Sequence, residues 1–446
     1  MDLDAIFKAY DVRGVVPTEI DEEAARRIGY AFARFASAGR ILIGRDARIS
    51  SPVLGAALSD GIRSAGVDVS DLGMITTDMA YFGSGHFDLP AVMVTASHNP
   101  KGYNGIKLCL AGAAPVGADT GLIEVRELAE SEPPSDLTGT YRADDILDPY
   151  VDHVLRVAGA AEIGDLRVVV DGGNGVAGVA IPSIFDRISP EVIGLFLDPD
   201  GTFPNHHPDP LRPENLVDLT ALMAWESPDM GVAFDGDADR AFFIDDAGVP
   251  VPGSTITAMI AKWFLAEDSG ASIVHNLICS KAVPETILAA GGTPVRTRVG
   301  HSYIKQVMKD TGAAFGGEHS GHYYFKDNFN ADSGILAMLI LMRIVTESER
   351  PLSELRREFE PYAQSGEINM VVADPEVEID RIAGVFKGED RLDGLTVDVG
   401  DGWFNLRPSN TEPVLRLNVE APDAKAVEKL VAQVRSHIEE VGNGSS

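Results

Sequence analysis

The sequence AVMVTASHNPKGYNGIKL, residues 91–108, passes from a short apolar run, Ala91–Thr95, straight into a polar loop. A run this short and apolar predicts a strand. The loop after such a strand is where open α/β sheets present ligand-binding groups. Within it Ser97 is the candidate nucleophile. A serine hydroxyl is weak at its own pKa and needs a neighbouring base, a cation or prior phosphorylation. His98 and Asn99 follow at once, Gly102 and Gly105 permit close backbone approach, and Lys107 brings a cation back toward the loop. A Ser-His pair alone would equally suit a polar surface turn; the length of the string makes it specific.

The same sequence grammar recurs outward from this point. Ile41–Gly44 is an apolar strand running into GRDARISS, Arg167–Val170 runs into DGGNGVAG, and Ser272–Cys279 runs into SKAVPE. Strand, small polar loop and helix at Gly44, Asp171 and Ser280 predict three related α/β units, with boundaries at 1–143, 144–247 and 248–362. In the first, Ala24, Ile28, Phe32 and Phe35 form one helical stripe behind an Asp21 cap. The remainder, 363–446, reads differently. Trp403–Leu406 and Val414–Glu420 are strands, the latter with Leu415, Leu417 and Val419 inward and Arg416 and Asn418 outward. A helix capped by Asp423 carries Val427, Leu430, Val431, Val434 and Ile438 on one face. This predicts a small α+β closing domain.

Bulk charge constrains the ligand. The 446 residues carry 37 basic and 68 acidic side chains, a net −31, and protonating all 10 histidines would still leave −21. Such a surface repels nucleic acid and anionic membranes, so neither is expected as a partner. An anionic ligand would need positive charge gathered locally. Cys109 and Cys279 are too few for a disulfide framework, the N-terminus has no apolar signal region, and the longest apolar run, Ile335–Met342, is far short of a span. A cytoplasmic protein is expected, monomer or dimer.

Three further loops carry chemistry. In DGDADR, residues 235–240, an extended backbone would turn Asp235, Asp237 and Asp239 to one side. Three carboxylates together need a cation, and oxygen ligands without Cys or His favour Mg²⁺ over Zn²⁺. An EF-hand is excluded because Arg240 stands at its sixth position, Asp246 at its twelfth, and a strand, Met230–Phe234, precedes the loop. In GGEHSGHYYF, residues 316–325, alternation would aim Glu318, Ser320 and His322 into one pocket, a set suited to sugar hydroxyls. His322 alone could also be a core histidine. In RPSNTEP, residues 407–413, Arg407 offers a planar fork for phosphate, and Ser409, Asn410 and Thr411 supply short donors and an anion-binding turn.

These four loops, in this order, together with YDVRG at 10–14, resemble the α-D-phosphohexomutase family over nearly the whole chain. The resemblance implies a heart-shaped, four-domain α/β molecule: three related α/β domains and a TBP-like α+β fourth domain around a central cleft. It implies a mutase interconverting hexose 6-phosphate and hexose 1-phosphate through a phosphoserine enzyme and a hexose 1,6-bisphosphate, which also acts as activator. Ser97 would be the phosphoserine. Asp235, Asp237 and Asp239 would hold Mg²⁺ with a phosphoserine oxygen, and Arg240 would neutralise phosphate. Glu318 and Ser320 would grip sugar hydroxyls at C3 and C4, and Arg407, Ser409, Asn410 and Thr411 the phosphate not in transfer. Tyr10, Arg13, Asn99, Lys281, His301 and His322 would line the substrate site. Lys107, His98, Arg13 and His322 are the candidates for proton transfer, with their division open. YDVRG and GEHSGH resemble the phosphomannomutase/phosphoglucomutase subgroup, where contacts at C3 and C4 would separate mannose from glucose poorly. His319 departs from the Met common there, and phosphoglucosamine mutases usually carry Gln at that position. A phosphoglucosamine mutase, a sugar phosphatase working through phosphoserine, and a non-catalytic phosphosugar-binding protein are the alternatives.

Overall fold

A computed structural model describes the chain except residues 1–2, 132, 135, 137, 409–413 and 439–446. Three α/β sheets are followed by one antiparallel sheet, and the three are laid down by one recipe. In the first, Arg40–Arg45 leads to helix Ser51–Ser64, then to parallel strand Asp68–Met74, helix Thr77–Phe87 and parallel strand Ala91–Val94. The chain then doubles back antiparallel as Tyr103–Leu110. The second repeats this with Arg167–Asp171, Glu191–Leu195, Met230–Phe234 and the antiparallel return Ala241–Asp245. The third does so with Ser272–Asn276, Thr293–Thr297, Phe315–Gly317 and the return Tyr323–Phe325. In each, a short outer strand, Val12–Val15, Pro250–Val251 or Ala331–Asp332, pairs with the return strand. The repeat expected at Gly44, Asp171 and Ser280 is therefore a repeat of topology. It also puts 95–102, 235–240 and 318–322 at one equivalent place, the turn between the third parallel strand and its antiparallel return.

Burial explains why these runs are strands. Val168, Val169 and Val170 are buried on both faces, as central parallel strands are when helices cover each side. The helix Glu22–Ala36 begins where Asp21 accepts from the Ala24 amide at 2.8 Å, the cap that the sequence announces. The strand expected over Ser272–Cys279 stops at Asn276. Leu277 and Ile278 are core residues of a turn, packed on Trp403 of the last sheet, so apolarity there signals a domain contact and not strand continuation.

The fourth sheet orders Ala363–Met370, Leu415–Ala421, Trp403–Pro408 and Leu395–Asp398, all antiparallel, with helices Pro375–Phe386 and Ala424–Arg435. Leu415, Leu417 and Val419 face its core, but the opposite face is not open to water. Asn418 and Glu420 are 7% and 2% exposed. Glu420 accepts from the Lys281 amide (3.0 Å) and the Trp403 indole (2.8 Å), so this face docks on the third unit.

Helix Gly334–Ser348 is the common spine. It is apolar on all sides through Met342 and packs against helices Leu147–Ala158 and Gly253–Glu267. At its N-terminus a polar node joins all three units. Asp78 accepts from Tyr150 (2.6 Å), Ser333 (2.5 Å) and Thr76, with no solvent contact. Burial raises its pKa to about 6, and the hydroxyl donors only partly offset that. Because the folded value lies above the unfolded one, this contribution to stability is full below about pH 4 and lost as pH rises through about 6. An Asp78→Asn variant lacks that dependence. The melting temperature of the natural chain should therefore gain on the variant's as pH falls from 7.5 to 5, within a span of about 3 kcal/mol. A gap that is constant with pH would contradict the buried, proton-binding carboxyl.

Candidate active site

The loop after Ala91–Val94 is held in an uncommon shape. Ser97 adopts a left-handed backbone, φ 49°, with its amide donating to Thr95 Oγ1 at 2.9 Å. One side chain organises the rest. Arg48, 0% exposed, donates to the carbonyls of Ser97 (2.7 Å), Asn99 (2.6 Å), Pro100 (2.9 Å) and Tyr103 (3.0 Å), and its Nε pairs with Asp46 at 3.2 Å. Gly105 fits tightly, since a Cβ there would meet the Val12 and Thr95 carbonyls at 2.5 and 2.8 Å. Gly102 has open space around it and is not a close approach.

Ser97 Oγ lies 2.6 Å from Asp235 Oδ2 and 3.2 Å from His98 Nδ1. The first unit thus lays its serine on the acidic loop of the second. That loop is a turn, with Ala238 at φ 61°, and not the extended strand expected. The turn still brings ligand oxygens of Asp235, Asp237 and Asp239 within 4.8 Å of one another, all buried. Lys107 Nζ reaches Asp237 Oδ2 at 2.8 Å and Asp239 Oδ2 at 2.5 Å, and Arg240 Nε reaches Asp235 Oδ2 at 2.9 Å. Oδ1 of Asp237 and Oδ1 of Asp239 are buried acceptors with no hydrogen-bond partner. Two orphaned carboxylate oxygens within one buried acidic cluster fit a hard divalent cation. A second group, Asp239, His322 and Asp332, also has metal-ligand spacing, but Asp332 is already paired with Lys305 at 2.7 Å and with His322 at 3.0 Å.

The electrostatics follow from crowding. Burial, reinforced by Asp239 and Asp237, pushes Asp235 up to about 7 against the pull of Arg240. For Asp237 burial acts upward too, but Lys107 and Thr77 outweigh it and hold that carboxyl well below the usual range. Burial likewise opposes charge on Lys107, yet Asp237 and Asp239 keep its pKa well above the ordinary value. The two histidines part company. Burial, with Arg240 and Arg13 near, drives His98 well below its ordinary pKa. On His322 burial is outweighed by Asp239 and Asp332, and its pKa rises.

The remaining expected residues surround this centre. Arg13 Nη1 donates to Asn99 Oδ1 at 2.6 Å and its other arm pairs with Asp11. Tyr10 donates to the Val299 carbonyl at 2.9 Å and meets the His301 ring edge-on at 5.4 Å. Glu318 is buried and already accepts from Asn276 (3.0 Å), the Gly300 amide (3.2 Å) and Tyr324 (2.7 Å), while Ser320 is half-buried in the adjoining turn. His319 is held neutral, its pKa lowered to about 3 by burial and by Arg407 and Arg416. Lys281 Nζ pairs with Asp398 at 2.8 Å, and Arg407 Nη2 with Glu367 at 2.6 Å. Ser409, Asn410 and Thr411 lie outside the described residues. Arg48 and Asp46 escaped the sequence reading. The signal was available, since GRDARISS follows the first strand of its unit as DGGNGVAG does in the second.

Four consecutive family models match the chain: phosphoglucomutase/phosphomannomutase alpha/beta/alpha domains I, II and III over residues 4–133, 148–248 and 252–362, and the C-terminal domain over 367–437. The chain belongs to the phosphoglucomutase/phosphomannomutase family. Among its relatives is a phosphomannomutase of Escherichia coli (strain K12), 41% identical over 430 residues, covering 93% of this chain and 94% of that protein. A phosphoglucomutase/phosphomannomutase family protein of Burkholderia thailandensis, 34% identical, superposes with a TM-score of 0.89 over 98% of this chain and 97% of that one. An N-acetylphosphoglucosamine mutase of Aspergillus fumigatus, solved with GlcNAc-6P and magnesium, shares the fold at 15% identity and a TM-score of 0.61, covering 97% of this chain and 95% of that one.

In this family member Arg48 should matter in proportion to what it leaves behind. Arg48→Met strands a buried Asp46 and four loop carbonyls, at a cost of about 3–5 kcal/mol in urea unfolding. Hydrogen exchange at residues 96–104 should accelerate with it. A loss under about 1 kcal/mol would mean that the loop is held by other contacts.

Proposed function

We propose that the chain is a phosphomannomutase that interconverts mannose 6-phosphate and mannose 1-phosphate and also accepts glucose phosphates. The reading rests on one observation above the rest: a serine hydroxyl from one unit lies 2.6 Å from a buried three-carboxylate cluster of the next. Relatives named phosphomannomutase at 41% identity over 93% of the chain support the sugar.

Ser97, once phosphorylated, transfers its phosphoryl group to the free hydroxyl of a hexose monophosphate. The bond from Oγ to phosphorus breaks, a sugar oxygen–phosphorus bond forms, and a hexose 1,6-bisphosphate results. Return of the other phosphoryl group to Ser97 completes the isomerisation. Asp235, Asp237 and Asp239, with Ser97 in its phosphorylated form, would hold Mg²⁺, which supplies a Lewis acid that offsets phosphoryl charge. Arg240 and Arg13 stabilise the same charge from the protein side. The sugar hydroxyl must lose a proton and Ser97 Oγ must regain one. We assign these transfers to His98, whose Nδ1 lies 3.2 Å from Ser97 Oγ, and to His322, beside Asp239 and Asp332. Lys107 is locked between two carboxylates and a guanidinium does not deprotonate, so Lys107 and Arg13 serve as fixed charges. Tyr10, Asn99, Lys281, His301, Glu318 and Ser320 line the sugar site, and Arg407 with Ser409, Asn410 and Thr411 takes the phosphate at rest.

A coupled assay with mannose 1-phosphate, glucose 1-phosphate and glucosamine 1-phosphate, primed with glucose 1,6-bisphosphate and run with and without Mg²⁺, tests this. Turnover should require Mg²⁺, favour mannose and glucose over glucosamine, and fall by ~10³-fold or more in Ser97→Ala. Inorganic phosphate released as fast as sugar is isomerised would make the enzyme a phosphatase. Separately, Mg²⁺ at about 100 times its Kd should stabilise the chain by about 2.7 kcal/mol in thermal unfolding, reversibly with chelator.

A further inference from the structure

The helix Thr77–Phe87 belongs to the first unit, yet its first residue donates two hydrogen bonds to Asp237 of the second. Thr77 is fully buried. Its Oγ1 donates to Asp237 Oδ2 at 2.6 Å and its amide donates to the Asp237 carbonyl at 3.0 Å. Lys107 donates to the same Oδ2 at 2.8 Å. Both side-chain donors therefore load one oxygen of the carboxylate. The other, Oδ1, is left buried and without a hydrogen bond, in the cluster where Asp239 Oδ1 is left in the same state.

We propose that Thr77 is a positioning residue of the cation site, fixing the Asp237 carboxylate so that Oδ1 is presented for coordination. The proposal rests on the reading that the aspartate cluster binds a divalent cation. The anchoring is firm because the next residue, Asp78, is tied to Tyr150 and Ser333 of the other units. Thr77 thus pins the acidic turn through backbone and side chain together. The amide alone fixes where the turn sits, and the hydroxyl fixes which carboxylate oxygen is spoken for. Without the hydroxyl, Lys107 still neutralises Asp237, but the carboxylate is free to rotate about its terminal bond and share Oδ1 with Lys107. Groups that hold a ligand in this way typically carry 10–100-fold of metal affinity.

The test measures binding rather than turnover, on the full chain without substrate. Mn²⁺ is titrated by calorimetry and by loss of its free paramagnetic signal, into the natural chain, Thr77→Val, Thr77→Ser and Asp239→Asn. Thr77→Val keeps shape and removes one hydroxyl; its Mn²⁺ affinity should fall ~10–100-fold. Thr77→Ser keeps the hydroxyl and should bind within about threefold of the natural chain, while the metal-free melting temperature of Thr77→Val should fall below both because a buried hydrogen bond to a carboxylate is lost. Should the valine variant unfold early, Thr77→Ala replaces it, with the same expected loss against serine. Equal affinity in the natural chain and the hydroxyl-free variant overturns the proposal, and so does equal weakening in valine and serine, which would mark a packing role. If instead the natural chain takes up no Mn²⁺, or Asp239→Asn binds as tightly as it does, the cation reading itself fails and this inference falls with it.

Discussion

Three carboxylates and two cations share one buried space, and the rest of the molecule is arranged around that imbalance. Asp235, Asp237 and Asp239 carry three negative charges against the two positive ones of Lys107 and Arg240, all of them at most 7% exposed. Unit charges 4 Å apart interact by about 4 kcal/mol at an effective dielectric of 20, so one uncompensated charge here is costly. The molecule answers by splitting the carboxylates. Lys107 and Thr77 hold Asp237 ionised, while Asp235 is pushed up to about 7 and keeps the Ser97 hydroxyl as a donor. Phosphorylating Ser97 would add about −1.5 to −2 more charge in the same place, which makes an added cation a requirement of the chemistry rather than an accessory.

Topology explains how charges so far apart in sequence come to meet. The three loops occupy the same turn in three copies of one sheet, and each copy carries a basic side chain on its antiparallel return or just before it. In the first copy this is Lys107, on Tyr103–Leu110. In the second and third, Arg240 and His322 stand immediately before Ala241–Asp245 and Tyr323–Phe325 and pair with one another as an isolated bridge. Repetition therefore distributes one task, supplying positive charge to a shared centre. The buried node at Asp78 and the helix Gly334–Ser348 hold the copies in the register that makes this work. A strongly acidic protein gathers its scarce cations by geometry.

What the sequence made legible was what short spacing encodes. Asp21 announced its helix, the Val-rich runs announced their strands, and Ser97 with the three aspartates stood out because their neighbours in sequence are also neighbours in the site. Even there the route was misjudged: the aspartates converge through a turn with a left-handed Ala238, not through the two-residue period of a strand. What stayed hidden depends on long-range closure. Arg48 acts on carbonyls that lie 49–55 residues away, and Thr77 acts on Asp237 across 160 residues. Within their own segments Arg48 reads as a surface arginine and Thr77 as a helix-start residue. Asn418 was misplaced for a related reason, since an alternating strand reveals a second face but not what covers it.

The cations outside the centre are occupied in a revealing way. Arg407 is buried against Glu367, and Lys281 reaches Asp398 across the seam between the third and fourth units. A guanidinium that met no anion would lose its solvation for nothing on being buried, so a carboxylate beside it keeps it charged and in place. That carboxylate also competes with any phosphate for the same donors. The competition costs affinity, yet it suits a catalyst that must release one phosphate of a bisphosphate and take up the other, because a site that held either too firmly would stall the exchange. The fourth unit thus carries both the proposed phosphate fork and its rival anion on one sheet, Glu367 on Ala363–Met370 and Arg407 on Trp403–Pro408.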